Sequence, residues 1–337
     1  MIEWIHPSLV LILGAALVPF LSPGSRRIWL IVLPAAVLGL ILSLEPGEHG
    51  AMEFLGMELL PGRVDRLSLL FAYVFGIILV LGAIYALHVD DWVQHVAALV
   101  YGAAALGVVL AGDLATLYVF WELMVVSSVW LIWQRRTPVS FGAGMRYILV
   151  HGVSGMALLG GILAYYYNTG SLAFNEIATG GAAFYLILLA FLVNAAVPPL
   201  HAWLADAYPE ATVTGTIFLS ALTTKTAVYV LMRGYPGTEL LVWLGAVMAL
   251  YGVVYAVLAN DIRRLLAYHI ISQVGYMVAG VGMGTALALS GTGAHAFTHI
   301  LYKALLLMGA GAVLHMTGRS KLTELGGLYR WMPVTFV

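Results

Sequence analysis

Long apolar stretches alternate with short polar or glycine- and proline-containing segments along the whole sequence. Each stretch has roughly 17 to 25 residues, the length that an α-helix needs to cross a bilayer. The pattern therefore predicts an all-α, multi-pass membrane protein, with residues 1–337 as one transmembrane domain. We count eleven spans, at residues 5–21, 27–44, 67–87, 93–111, 114–133, 141–167, 182–200, 211–232, 240–259, 265–284 and 292–316. The final WMPVTFV has the pattern of the opening of a twelfth helix.

Two neighbouring spans contain residues that interrupt a helix. The seventh ends in Pro198 and Pro199, and the eighth begins with the threonine-rich segment ATVTGT. Interrupted helices at membrane depth are tolerated where they border protein or a water-filled cavity, and transporters place ion sites there. We therefore expect the functional centre at these two helices.

The basic residues outside the spans are distributed unequally between the two sides of the membrane. Only Arg63, Arg66 and Arg233 share a side with the acidic loop of residues 45–58. The positive-inside rule then predicts that the N-terminus is outside and that the other basic loops face the cytoplasm. The residues on that cytoplasmic side are Arg26, Arg27, Arg135, Arg136, Arg146, Arg263, Arg264, Arg319, Lys321 and Arg330.

The composition supports a membrane protein and excludes several other classes. Apolar residues make up 62% of the chain and charged residues 9%, whereas a soluble domain has about 25% charged residues. A net charge of -1 provides no basic face for nucleic acid. The chain has no cysteine, and it contains no nucleotide-binding loop, GxSxG or HExxH motif in a suitable context. We therefore expect no cofactor, no metal site and no catalytic site of its own.

Three ionisable residues lie within predicted spans: Glu122, Lys225 and Lys303. A charge in hydrocarbon costs a few kcal/mol, on the order of 3, so such residues usually face protein or water and mark a proton or ion path. Lys225 is too far from either end of its span to reach the interface easily. Glu122 could load and release a proton, or form a structural ion pair near the start of its helix at Asp113. We favour the proton-carrying role for both.

Two histidines accompany Lys303 on one helical face. His295, His299 and Lys303 are spaced at i, i+4 and i+8, and histidine titrates near neutral pH, so the row predicts a proton relay. A metal site would need further ligands that the nearby sequence lacks. His201 is open to either a structural or an accessory role, and His151 and His269 are interpreted as structural. The numerous tyrosines and tryptophans are assigned mostly to the two membrane interfaces.

Four segments occur in order with the spacing of a known family: FWELMVVSS, PPLHAWLADAYPEATVTGT with ALTTKTAVYVLMR, NDIRRLLAYHIISQVGYM, and HAFTHILYKALLLMGAGAV. Over about residues 65–330 the chain resembles the antiporter-like subunits of respiratory complex I and of Mrp-type cation/proton antiporters. The second segment is nearer to the Mrp-type D subunit.

This resemblance implies a fold of fourteen helices with two inverted five-helix repeats, each containing a broken helix. The first three helices would occupy residues 1–92, the first repeat residues 93–232 with its break near 194–200, and an incomplete second repeat residues 240–337. Glu122, Lys225, His295, His299 and Lys303 match the positions of the family's proton path.

The chain departs from the family in two ways. Family members usually have a lysine seven residues before the His of PLHAWL, where it pairs with the glutamate, and here that residue is Asn194. An amide cannot titrate, so Glu122 must pair elsewhere or with water. The family's helices 12 to 14 lie beyond Val337, and the sequence leaves open whether a partner chain supplies them.

The sequence thus favours a proton-conducting subunit of a multi-subunit Na⁺/H⁺ antiporter of the Mrp type in a bacterial or archaeal cytoplasmic membrane. Its expected partners are other membrane subunits, protons and Na⁺. One alternative is a pumping subunit of a complex I-like NADH-quinone oxidoreductase or a membrane-bound hydrogenase. A second is a non-conducting scaffold, which Asn194 favours.

Overall fold

Polar side chains set where many of the helices begin. Asp65, Asp113, Thr137 and Asp261 each accept a hydrogen bond from a backbone N–H in the first turn of the following helix, which satisfies a group that has no partner within the helix. The computed structural model describes residues 4–336. Its helices are α1 (Pro7–Leu17), α2 (Pro23–Leu42), α3 (Arg66–Tyr85), α4 (Trp92–Leu110), α5 (Leu114–Trp133), α6 (Pro138–Thr169), α7 (Gly181–Asn194), α8 (Ala202–Ala207), α9 (Gly215–Ala221), α10 (Thr223–Gly234), α11 (Glu239–Leu258), α12 (Ile262–Met283), α13 (Ala286–Thr317) and α14 (Pro333–Phe336).

The helices agree with the predicted spans. Among residues 4–336, nine helical stretches are long and apolar enough to cross a membrane, and two shorter apolar helices lie at Pro7–Phe20 and Gly181–Asn194. The predicted interruption of the seventh span is present, because α7 ends at Asn194 and α8 begins only at Ala202. The start of a further helix is present as α14, although Val337 lies outside the described residues.

Four short strands, which the sequence did not predict, connect α2 to α3. They are β1 (Gly47–His49), β2 (Met52–Phe54), β3 (Met57–Leu59) and β4 (Gly62–Val64). β2 pairs antiparallel with β3, and β1 pairs antiparallel with β4 in the register Gly47 to Val64. The alternating signal of such short segments is weak, so the acidic loop gave no strand prediction.

Ion pairs distinguish the two ends of the helix bundle. At one end, called the basic end here, arginines bind carboxylates of neighbouring connections. At the other, called the strand end, β1–β4 lie close to Asp65, which binds Arg63 and Arg233. The ends therefore contain the two sets of basic residues that the helix count separated. The pairs at the basic end are Arg27–Asp90, Arg135–Glu210, Arg136–Asp91 and Arg146–Asp206.

The stretch Gly215–Gly234, formed by α9 and α10, lies at the centre of the bundle. It is apolar and long enough to span a membrane, yet all of its best spanning window is buried by other helices. Its polar side chains can therefore face protein on every side, which is the arrangement that charged groups need at membrane depth.

Glycines bring α11 and α12 into close backbone contact. A Cβ atom on Gly275 would lie 2.6 Å from the backbone nitrogen of Ala249 and 2.7 Å from the carbonyl oxygen of Gly245. A Cβ on Gly252 would meet the backbone of Ser272 in the same way. Small residues allow this approach, which drives helix association where lipid provides no hydrophobic force.

We expect Gly275→Val to lower the free energy of unfolding by about 1–3 kcal/mol, because α11 and α12 must move apart to admit the side chain. Gly152→Val is the matched control, since a Cβ on Gly152 in α6 would meet nothing within 4 Å. Thermal unfolding of the two purified variants in detergent measures the difference. Equal midpoints for both would contradict the close contact.

Candidate functional site

The central span is interrupted between α9 and α10, at Leu222. The break frees backbone groups, and two buried tyrosines satisfy them. The Tyr208 hydroxyl donates to the carbonyl oxygen of Leu219 at 2.7 Å, and the backbone N–H of Thr223 donates to the Tyr101 hydroxyl at 3.0 Å. Because these tyrosines belong to other elements, the surrounding fold stabilises the break.

Lys225 lies one turn after this break and is completely buried. Its ammonium group donates to the carbonyl oxygen of Ser220 at 2.7 Å and to the Thr224 hydroxyl at 3.1 Å. Within residues 4–336 it forms no salt bridge with a carboxylate. The break thus supplies a backbone acceptor where an ion pair would otherwise be needed.

The predicted row on α13 faces Lys225. His299 and Lys303 are 0% and 2% exposed, and the rings of His295 and His299 lie 6.0 Å apart between centroids. His299 is close enough to interact electrostatically with Lys225, Lys303, His295 and His269. Neither ring nitrogen of His299 has a hydrogen-bond partner among the described residues. The ring is therefore free to accept or donate at either nitrogen.

Gln273 of α12 orients His295. Its side-chain oxygen lies 2.9 Å from Nε2 of His295 and accepts a hydrogen bond from the Tyr302 hydroxyl at 3.2 Å. With the amide oxygen in this position, Nε2 of His295 is a donor. The sequence reasoning did not single out Gln273, although an amide within an apolar span is a signal that could have found it.

Glu122 is separate from this group. It lies on α5, and its carboxylate packs so closely on Gly155 of α6 that a Cβ there would collide with it. Its Oε1 is buried without a hydrogen-bond partner among residues 4–336. Asn194 is also fully buried, and its side-chain oxygen accepts a hydrogen bond from Ser154 of α6 at 3.3 Å. The side-chain nitrogen of Asn194 has no hydrogen-bond partner among residues 4–336, so only the oxygen of the amide is hydrogen-bonded to α6.

Hydroxyl groups connect α5 and α6 with the start of α10. The Tyr147 hydroxyl is hydrogen-bonded to Ser128 at 2.8 Å, and it also interacts with the hydroxyl of Thr223, which is hydrogen-bonded to Tyr101. Tyr101 and Tyr147 are at most 1% exposed, so these two tyrosines pack between helices. Their position among small residues, as in VYGAAALG, was the available signal for burial between helices.

Arg263 ties the segment between α8 and α9 to the start of α12. Its guanidinium group is buried and donates to the carbonyl oxygens of Pro209 at 2.7 Å and Ala211 at 2.8 Å, and to the hydroxyl of Thr216. Backbone carbonyls thus satisfy this charge. Since Tyr208 belongs to the same segment, Arg263 also fixes the tyrosine that binds the broken helix.

The other predicted residues lie at the interruption between α7 and α8. Pro198 and Pro199 follow the end of α7, and their peptide bond is cis. His201 packs its ring on Tyr251 at 4.3 Å and borders a cavity of about 200 Å³ that Asp206 and Arg264 also line. The residues that line this cavity do not include His295, His299 or Lys303.

An ion pair lies at the strand end of α10. Arg233 lies two turns after Lys225, donates from Nε to the Tyr229 hydroxyl at 2.9 Å, and binds Oδ2 of Asp65 at 2.8 Å. Burial opposes ionisation of Asp65, but the Arg233 charge and the Ser68 backbone N–H outweigh it, so the pKa of Asp65 lies below its ordinary value.

We expect Asp65→Asn to destabilise the protein at neutral pH by about 1–2 kcal/mol, because the buried guanidinium loses a counter-charge that solvent partly screens. A lowered folded-state pKa gives stability that is present above the unfolded pKa of about 3.9 and lost as the pH falls through the folded value. The gap between native protein and variant should therefore close below about pH 4.

Thermal unfolding in detergent from about pH 7 to about pH 3 tests this expectation. Glu58→Gln, which removes an exposed carboxylate at the same end, is the control. A gap that stays constant down to the lowest pH would show that Asp65 gains no stability from ionisation.

Comparisons with known proteins agree with the fold. A family model described as NADH:quinone oxidoreductase/Mrp antiporter, TM, matches residues 111–337. Two relatives from Alkalihalophilus pseudofirmus are similar. The A subunit of its Na(+)/H(+) antiporter is 31% identical, with 96% of this chain and 46% of that protein covered. The D subunit of its Na(+)/H(+) antiporter is 33% identical, with 67% and 50% covered. The chain thus spans about half the length of these curated relatives.

A solved structure is similar over nearly the whole chain. It is that of the membrane-bound sulfane sulfur reductase, an archaeal respiratory membrane complex, and the TM-score is 0.88 with 28% identity. The match covers 98% of this chain and 60% of that chain. The resemblance that the four sequence segments indicated is confirmed.

Proposed function

The chain belongs to the NADH:quinone oxidoreductase/Mrp antiporter transmembrane family, and we propose that this multi-pass membrane protein conducts protons as one subunit of a multi-subunit Na⁺/H⁺ antiporter of the Mrp type. One observation carries the proposal. Lys225 on the fully enclosed α10 lies within electrostatic range of His299 and Lys303, which are buried on α13. Buried titratable groups placed together at membrane depth are typical of a proton path.

In the proposed mechanism, protons pass along Lys225, His299, His295 and Lys303. The carbonyl of Ser220 stabilises a proton on Lys225. A proton that arrives on a neighbouring group opposes this charge strongly, because the interior has a low dielectric constant. Each arrival therefore favours departure from the next group along the row. His299, whose two ring nitrogens have no fixed partner among the described residues, is suited to pass the proton in either direction.

Glu122 would set the electric field at the near end of this path, and cation movement would occur in a partner subunit. A change of charge at these groups would affect both proton movement in this subunit and Na⁺ movement in the partner. The two flows would therefore be thermodynamically linked. We place the protein in a bacterial or archaeal cytoplasmic membrane with its N-terminus and strand end outside, since most basic loops lie at the other end.

A second candidate function is the same proton path in a redox-driven complex. The similarity to a chain of an archaeal respiratory reductase favours it. In that case a redox partner would drive proton movement without Na⁺. Proton uptake that depends on an electron donor and persists in Na⁺-free buffer would favour this candidate over the antiporter.

We expect Lys225→Ala to lower Na⁺-driven proton flux by roughly 100-fold, the usual effect of removing a proton-transferring group. The measurement uses everted membrane vesicles that contain the whole assembly, with a pH-sensitive dye inside. Lys321→Ala is the matched control, because the side chain of Lys321 is 63% exposed at the basic end, and it should keep native flux.

Assembly must be checked by purifying the complex from each set of vesicles through a tag on another subunit. Native flux in a fully assembled Lys225→Ala complex would mean that ions travel through partner subunits and that this chain is a scaffold. Loss of flux in Lys225→Ala but not in Lys321→Ala would support the path through α10.

A further inference from the structure

The geometry points to His151 as the group that carries protons between Glu122 and Lys225, in place of a titratable side chain at position 194. The inference rests on the proposed function and adds a residue to its path. Within residues 4–336 no salt bridge joins Glu122 on α5 to Lys225 on α10. Asn194, which is buried beside α6, bears an amide that cannot titrate. A proton route between the two therefore needs another group.

One face of α6 brings the relevant side chains together. His151, Ser154 and Gly155 are spaced at i, i+3 and i+4, so they lie on the same side of the helix. Gly155 contacts the carboxylate of Glu122, and the Ser154 hydroxyl binds Asn194 and the carbonyl oxygen of Ala190. His151 is therefore about one helical turn, roughly 6 Å, from the place where Glu122 meets α6. In the proposed path a bridging water would link the two groups.

The hydrogen bonding of His151 fixes which nitrogen can act as a base. Nδ1 lies 3.0 Å from the carbonyl oxygen of Tyr147, which can only accept, so Nδ1 carries the hydrogen. Nε2 then has a free lone pair. It is buried without a hydrogen-bond partner among residues 4–336, on a side chain that is 0% exposed. A structural histidine of this kind would normally have both nitrogens satisfied.

Aromatic contacts hold the imidazole of His151 beside the interruption between α7 and α8. The Tyr147 ring stacks on it at 4.1 Å between centroids, and Trp203 of α8 meets it edge-on at 4.5 Å. Trp203 also donates to the carbonyl oxygen of Val193, the residue before Asn194. The ring is thus fixed next to the position that the amide occupies.

Hydroxyl groups lead from this point towards Lys225. The Tyr147 hydroxyl is bonded to Ser128 and interacts with Thr223. The next residue, Thr224, accepts a hydrogen bond from the ammonium group of Lys225 at 3.1 Å. Hydroxyls both donate and accept, so they can pass a proton without becoming charged themselves.

The transfer is balanced in protons. The Glu122 carboxyl gives up its proton, and Nε2 of His151 receives it to form an imidazolium beside a carboxylate. The imidazolium then returns to the neutral form as one proton passes along the hydroxyls to the amine of Lys225. No other bond forms or breaks, and no oxidant or reductant is needed.

The test compares Lys225→Ala, His151→Gln, and the double variant His151→Gln with Asn194→Lys. Glutamine can still donate to the Tyr147 carbonyl but cannot titrate. We expect His151→Gln to lower Na⁺-driven proton flux about 100-fold in vesicles containing the assembled complex. Adding Asn194→Lys should restore flux to within about 3-fold of native, because it places a titratable amine beside Ser154. His315→Gln, at an exposed histidine in the last turn of α13, is the matched control.

Rescue by Asn194→Lys separates proton transfer from packing, since a lysine there replaces none of the contacts of His151 with Tyr147 and Trp203. Loss of flux without rescue would overturn the inference and give His151 a structural role. Native flux in His151→Gln, with flux lost in Lys225→Ala, would overturn the inference and leave the proposed function intact. Native flux in Lys225→Ala would overturn both the inference about His151 and the proposed function.

Discussion

Every backbone N–H and C=O at membrane depth must be satisfied by protein, because lipid offers no hydrogen bonds. The break between α9 and α10 frees such groups at the centre of the bundle. Tyr208, Tyr101 and Lys225 satisfy them at Leu219, Thr223 and Ser220. The two tyrosines lie on neighbouring elements. The packing of the bundle around α10 therefore stabilises this break.

The same requirement explains how the chain buries its cations. Lys225 and Arg263 bind backbone carbonyls, and Arg233 binds the carboxylate of Asp65 at the strand end. The two carbonyl-bound cations are linked, since Arg263 holds the segment that contains Tyr208. A charge change at Lys225 would therefore alter the hydrogen bonding of the broken helix itself, which gives a physical basis for communication between protonation and conformation.

In the first half of the molecule, the proton path that we propose uses a histidine and hydroxyls in place of a lysine at position 194. The side-chain oxygen of Asn194 accepts a hydrogen bond from Ser154, and on the adjacent turn of α6 Nε2 of His151 has no partner among residues 4–336. Hydroxyls of Tyr147 and Thr223 continue towards α10.

The sequence by itself determined the eleven spans, the interruption near residues 194–200 and the row His295, His299 and Lys303, because hydrophobicity, proline and helical spacing are local properties. The tertiary structure alone decided which residues meet. It placed the break at Leu222, where no proline or glycine marks it, and turned buried tyrosines inward. Asn194 binds Ser154, a residue 40 positions earlier in the chain. Such contacts depend on how separate helices pack, which no local pattern records.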